Sequence, residues 1–180
     1  IGFEVMIVDE AGNPLPVGEV GEIAGYGAGQ MQGYHGRPDL TAEAIVRDGR
    51  GRTFFRSGDI GRIDEDGCLA ILDRKKDMII SGGENIYSWE VEEALRAHPD
   101  VAEVAVIAVP DVKWGESVKA CVQMRPGKAA TEAELIEHTR TRIASYKKPR
   151  SIDFVESLPR LFNGKIDKKA LRAPYWQGRD

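Results

Sequence analysis

Two stretches of this 180-residue sequence hold residue types suited to chemistry on anions. In PRLFNGKIDKK (159–169), Lys165 follows an Asn-Gly turn, where a tight loop can present an ammonium at its tip. Lysine is a flexible point charge with three donors, suited to phosphate or carboxylate oxygens that move. In FRSGDI (55–60), Asp59 follows a glycine at a strand turn, and a carboxylate exposed there can grip a pair of vicinal hydroxyls. A third stretch, YKKPR (146–150), sets three cations around a proline that stiffens the loop, beside Tyr146. That combination can hold a phosphate and stack a base. Trp114, in VKWGES, is a second loop aromatic, and Gly82 and Gly83 let the backbone approach a ligand closely. Each stretch also has a plainer reading: an ordinary turn aspartate, a solvated hairpin lysine, a packed tryptophan, a charged run facing water. Taken singly, the aspartate, the lysine, the tryptophan and the charged run each favour the plainer reading.

The elements that must position these residues follow from periodicity. Residues 3–8 and 19–24 read as strands around a turn rich in Gly, Asn and Pro. Residues 38–46 suit a short helix with Pro38 near its start. Residues 54–63 and 68–72 read as a hairpin closed through Glu65, Asp66 and Gly67. A charged segment, 73–77, gives way to a buried strand at 78–80, the glycine pair, and a helix from about Ser88 that Pro99 stops. Residues 101–109 are almost continuously apolar, which predicts cover on both faces of that strand. A strand at 118–124 follows. Thr131 and Glu134 then form a capping box for a helix running to about residue 145, with Leu135, Thr139 and Ile143 on one face. A strand at 151–155 and a short helix over 168–171, capped by Asp167, close the pattern. The expected class is α+β. A β-rich part over 1–73 would be the end of a large N-terminal domain. Residues 74–180 would form a small C-terminal domain with a central sheet flanked by helices, the boundary lying within 73–77.

Composition narrows the function classes. With 42% hydrophobic and 30% charged residues the chain can build a packed core. A net charge of −4 argues against a general nucleic-acid binder, so an anionic ligand must be met by local cations. Cys68 and Cys121 show no metal-ligand spacing; they read as small core residues of a reducing compartment, and no metal site is expected. No apolar run approaches the ~18 residues of a membrane span, so a cytoplasmic protein is expected. The chain opens on IGFEVMIV, without a start methionine and already strand-like, and reads as a piece of something longer.

Five motifs in order bring these pieces together. FRSGDI, then LDRKKDMIISGGENIY with WEVEEAL, then VPDVKWGESVKA, YKKPR and LPRLFNGKIDKKAL, resemble the adenylate-forming acyl-CoA synthetases over nearly the whole chain. The resemblance implies a ligase that turns a carboxylic acid, ATP and CoA into acyl-CoA, AMP and pyrophosphate through an acyl-adenylate. A fatty or aromatic acid is the expected substrate. It implies that Asp59 and Arg74 bind the ribose, that Lys76 lies at the hinge of a mobile C-terminal domain, and that Lys165 bridges carboxylate and α-phosphate. Gly82 and Gly83 would line the pantetheine tunnel, while Trp114, Tyr146, Lys148 and Arg150 would hold the CoA nucleotide. The glycine-rich Ser/Thr loop that wraps the ATP phosphates precedes these motifs in the family and is absent here. Magnesium would therefore be bound mainly by the missing N-terminal part, and the isolated fragment is expected to be inactive. Lys165 would also be an apt target for a lysine acetyltransferase, since acetylation removes its charge. The sequence departs from the family at Ser57, where Thr is commoner, at Phe55, where Tyr is frequent, and at Glu84. Some relatives that serve carrier proteins have an arginine near Glu84, so its presence favours free CoA. A non-catalytic module binding CoA or a partner, and an adenylating domain serving a carrier protein, remain the rival readings.

Overall fold

The strand expected at the start of the chain becomes β1 (Phe3–Val8) in a computed structural model that describes residues 2–178. It is followed by β2 (Gly21–Gly27), α1 (Pro38–Ala44), β3 (Ile45–Arg47), β4 (Thr53–Ile63) and β5 (Leu69–Arg74). These strands form one antiparallel sheet in the order β1-β2-β4-β3, with β5 also on β4. Val8, Ala24, Val46 and Phe54 are its buried cluster. The helix expected over 38–46 stops at Ala44. Ile45 and Val46 are β-branched, and as strand residues they pair with Phe55 and Phe54.

The chain divides into two compact units, Ile1–Lys76 and Asp77–Asp180. The division falls after Lys76 because Arg74 still pairs with Asp59 across β4 and β5, and Lys75 still reaches Glu22. Residues Lys75–Asp77 form a single 3-10 turn.

The second unit contains β6 (Ile79–Ser81), β7 (Glu84–Ile86), α2 (Ser88–Arg96), β8 (Val101–Asp111), β9 (Gly115–Met124), α3 (Glu132–Arg140), β10 (Ser151–Phe154) and α4 (Lys168–Trp176). Its sheet runs β10-β9-β6-β7, with β8 on β9 and β10 parallel to β9. β8 is covered on both faces, as its apolar run requires. Val104, Val106 and Ala108 pack with Val91 and Leu95 of α2 and Leu135 of α3. Ala105, Ile107 and Val109 pack with Leu158, Ile166, and Leu171 and Tyr175 of α4.

Two helix ends differ from the sequence expectation. The capping box is present, with Glu134 N–H donating to Thr131 Oγ1 at 3.2 Å, but α3 ends at Arg140 rather than near 145. Thr139 and Thr141 turn their hydroxyls onto the Leu135 and His138 carbonyls, a local competition that weakens a helix end. Asp167 caps α4 through the Ala170 N–H, yet the helix runs on past 171 to Trp176. Tertiary contacts hold the added turn: Trp176 Nε1 donates to the Ala108 carbonyl at 3.0 Å, and Arg172 pairs with Asp77 at 3.0 Å. A short strand, β7, was not expected at all; it exists because the glycine pair folds it back onto β6.

Cys121 is buried, and burial helped by the Asp153 charge pushes its thiol up to about 11, so it stays protonated and inert. Cys68, expected in a core, is exposed; it ends the 64–68 turn, where its N–H donates to Asp64 Oδ1. No helix among the described residues is long and apolar enough to cross a membrane.

One half-buried imidazole in this unit has its pKa lowered by its surroundings. His138 Nε2 is buried without a hydrogen-bond partner among the described residues, and the ring lies edge-on to His98 at 4.8 Å. Burial, then the charges of Arg142 and His98, lower its pKa from the ordinary 6.5, with the Ala94 carbonyl opposing them. The unfolded chain then binds the proton first. Its contribution to stability is complete above pH 6.5 and declines as pH falls below that value towards the depressed one. Urea unfolding should therefore show a smaller loss of stability on acidification through this window for His138→Leu than for the wild type. Parallel curves would show that His138 does not titrate differently in the two states.

Candidate functional site

The expected site residues fall into three places. Asp59 sits on β4 beside Gly58, whose φ of +74° falls where the β2–β4 register shifts. Its N–H donates to Ser57 Oγ at 3.0 Å, so the serine hydroxyl at that departure from the family pattern is in use. Arg74 on β5 pairs with it, Nε to Oδ1 at 2.9 Å, and the two side chains are 54% and 25% exposed, in that order. A half-open aspartate–arginine pair offers acceptor and donor together to vicinal hydroxyls.

In the same unit lies a network that sequence reading missed. Glu22 is buried on β2 and accepts from Arg56 at 2.7 Å and Lys75 at 2.9 Å. Burial raises its carboxyl pKa, but the hydrogen bonds from Lys75 and Arg56 outweigh burial and hold it below the usual carboxylate range. These residues line a cavity of about 460 Å³ with Tyr34, Ser57 and Gly58. The available signal was Arg56 itself, a charge among buried strand positions. Its partner required the β2–β4 register, which is shifted by a bulge between Glu22 and Ala24. Lys76 is exposed in the 3-10 turn that ends the first unit.

In the second unit, Gly82 and Gly83 are the two loop residues of the β6–β7 hairpin. Their φ values of +63° and +87° are those of a type I′ turn, which β-carbons disfavour. Gly82 also abuts an aromatic ring: a Cβ there would lie 2.6 Å from Trp114 Cε3, and its N–H donates to the Trp114 carbonyl at 2.9 Å. Trp114 leads into β9, with Lys113 Nζ 4.6 Å and Arg150 Cζ 5.2 Å from its ring centroid. The structure thus brings Gly82, Trp114 and Arg150 together. Tyr146 is exposed in the 3-10 turn Ser145–Lys147. Within YKKPR the three cations differ. Lys147 is taken by Glu90 at 2.6 Å, whereas Lys148 donates to the Ser145 carbonyl and Arg150 lies over the indole. Among the described residues no carboxylate pairs with Lys148 or Arg150, which leaves two cations and an aromatic face for an anion.

Lys165 occupies a separate loop. The chain reverses between Arg160 and Ile166, which bridge antiparallel, with Gly164 at φ +82°. Leu161, Phe162, Asn163, Gly164 and Lys165 are all exposed, so the ammonium stands clear of the core. Among the described residues no group of three His, Cys, Asp or Glu could hold a metal ion.

Residues 90–165 match the family model of the AMP-binding enzyme C-terminal domain. The chain is 47% identical, over 94% of its length, to a feruloyl-CoA synthase of Amycolatopsis sp, and 41% identical, over 97%, to the fatty acid–[acyl-carrier-protein] ligase ScoC of Streptomyces coeruleorubidus. It spans 33% of each of these relatives. Its backbone is similar to that of ATP-bound MatB from Rhodopseudomonas palustris, with a TM-score of 0.90 at 37% identity, covering 98% of this chain and 35% of that one.

Proposed function

We propose that this chain, whose residues 90–165 match the AMP-binding enzyme C-terminal domain and which is similar to acyl-CoA ligases over most of its length, is the C-terminal part of a ligase joining a carboxylic acid to CoA through an acyl-adenylate. The observation that carries this reading is the exposed Lys165 on a loop whose backbone is closed by its own hydrogen bonds. Uniting a carboxylate with an α-phosphate brings anions together, and a preorganised cation aimed at both stabilises that transition state. Asp59 accepts from the ribose hydroxyls and Arg74 orients it. Lys76, at the end of the first unit, is the pivot of the mobile C-terminal domain. In this chemistry magnesium would accompany the triphosphate.

Thioester formation uses the other surface. Gly82 and Gly83 admit the pantetheine arm, Trp114 and Tyr146 offer aromatic faces, and Lys148 and Arg150 meet the CoA phosphates. A fatty or aromatic acid is the substrate class, and acetylation of Lys165 would silence the first step by removing its charge. Glu84 favours free CoA as acceptor. A tethered carrier is the second reading, favoured by the identity to ScoC.

The experiment is ATP–pyrophosphate exchange by the full-length protein, followed by thioester formation with free CoA or a phosphopantetheinyl carrier. Exchange with thioester formed from free CoA supports the reading; exchange with transfer only to a carrier supports the second. No exchange with any fatty or aromatic acid overturns the substrate class. Lys148→Ala and Arg150→Ala should each raise the KM for CoA about tenfold or more, the range for hydrogen bonds to charged groups, while leaving that for ATP unchanged. Dephospho-CoA should be less sensitive to both; equal sensitivity would remove the 3′-phosphate from this site.

A further inference from the structure

The loop that carries Lys165 is held more tightly than a solvated hairpin requires. Its backbone closes on itself: Leu161 N–H donates to the Lys165 carbonyl at 2.8 Å, Gly164 N–H to the Leu161 carbonyl at 2.9 Å, and Asp167 N–H to the Pro159 carbonyl at 2.8 Å. These bonds do not include the peptide group joining Gly164 to Lys165, but side chains take both of its polar ends. Lys165 N–H donates to Asn163 Oδ1 at 3.1 Å. The Gly164 carbonyl accepts from Arg160 Nη1 at 2.7 Å.

The same guanidinium reaches a second anchor. Arg160 Nη2 lies 2.5 and 2.6 Å from the two carboxylate oxygens of Glu103. Glu103 is on β8, and strand alternation puts it on the face of Ala105, Ile107 and Val109, which packs against Leu158 and Ile166 at the two feet of the loop. One planar fork therefore ties the peptide before Lys165 to a central strand. As a contribution to global stability the pair is minor, since the side chains are 46% and 40% exposed and water screens them. Its local effect is larger. Gly164 is a soft point in the backbone, and rotation of its peptide would swing the Lys165 side chain away from its aim.

We propose that Arg160, anchored by Glu103, is a positioning residue for Lys165, fixing the peptide plane from which the ammonium is delivered during adenylation. The proposal rests on the role given to Lys165 above. Arginine suits the task because its fork serves two acceptors at once, whereas a lysine ammonium in that place reaches one or the other.

The test compares Arg160→Ala, Arg160→Lys, Glu103→Gln and Lys165→Ala in the full-length protein, with adenylation and thioester formation from supplied acyl-adenylate assayed separately. Arg160→Ala should lower kcat of adenylation about 10- to 100-fold, the scale on which misplacement of a reacting group is felt. The KM for ATP, the thioester step and the unfolding midpoint should stay close to wild type. Arg160→Lys should recover only part of the loss. Glu103→Gln should cost less than Arg160→Ala and add nothing to it in the double variant, because it acts through the guanidinium. Unchanged adenylation in Arg160→Ala, beside a crippled Lys165→Ala, overturns the proposal and leaves the reading of Lys165 standing. Equal slowing of both steps with a lower unfolding midpoint makes Arg160 an ordinary brace and also overturns it. A fully active Lys165→Ala removes the role of Lys165, and this proposal with it.

Discussion

Lys165→Ala in the full-length protein should slow acyl-adenylate formation about a hundred- to a thousandfold, the usual cost of removing one preorganised donor from a site of developing charge. Thioester formation from a supplied acyl-adenylate should continue near its normal rate. The loop predisposes the residue to this split. Lys165 is exposed, and both polar groups of the peptide preceding it are bonded by side chains. The fold therefore loses little when the side chain is cut, and a loss of rate reports the missing charge. Lys165→Gln, which keeps much of the length and removes the charge as acetylation does, should behave like the alanine variant. Measuring the two half-reactions separately decides the matter: if both slow alike, or neither does, Lys165 is only a solvated loop residue.

Gly82→Ala should be the most damaging single-methyl change in the second unit. At φ +63° a β-carbon meets the preceding backbone, which costs roughly 1–2 kcal/mol. The same carbon would stand 2.6 Å from Trp114 Cε3, so the indole must move. That indole is the ring over which the Arg150 guanidinium lies. We expect a loss of roughly 2 kcal/mol in urea unfolding and a rise of about tenfold in the KM for CoA, about 1.4 kcal/mol, with the KM for ATP unchanged. Gly83→Ala is the control, because at φ +87° it carries the backbone penalty but nothing lies within 4 Å of its Cβ. It should cost only the backbone penalty and leave the indole in place, so any rise it causes in the KM for CoA reports the pantetheine path rather than the Trp114 face. If Gly82→Ala unfolds more easily yet binds CoA normally, the Trp114 face is not part of the acceptor site.

Much of this protein was legible in its sequence because local rules and tertiary structure agree. The apolar run of β8 announced a strand covered on both faces, and it is. The capping box at Thr131 and Glu134 and the cap at Asp167 set two helix starts where side-chain oxygens meet free N–H groups. The glycine pair marked a turn, and the order of five motifs marked the resemblance to acyl-CoA ligases that the comparisons share. Helix ends were less legible: the end of α4 depends on Trp176 and Arg172 finding partners on other elements, and the start of β3 on Val46 being needed in a core.

What only the tertiary structure decided is which charges meet. Arg56 and Lys75 converge on Glu22 from positions 34 and 53 residues away, and Arg160 finds Glu103 across 57. Periodicity assigns a side chain to a face but says nothing about the register of one strand against another, and ion pairs form at that register. The same holds for Gly82, whose need for a positive φ follows from a two-residue turn. That it must also lack a side chain to seat Trp114 follows only from the packing of one hairpin against another. A residue's chemistry is set by its type, which the sequence states. Its aim is set by partners distant in the chain, which only folding brings within reach.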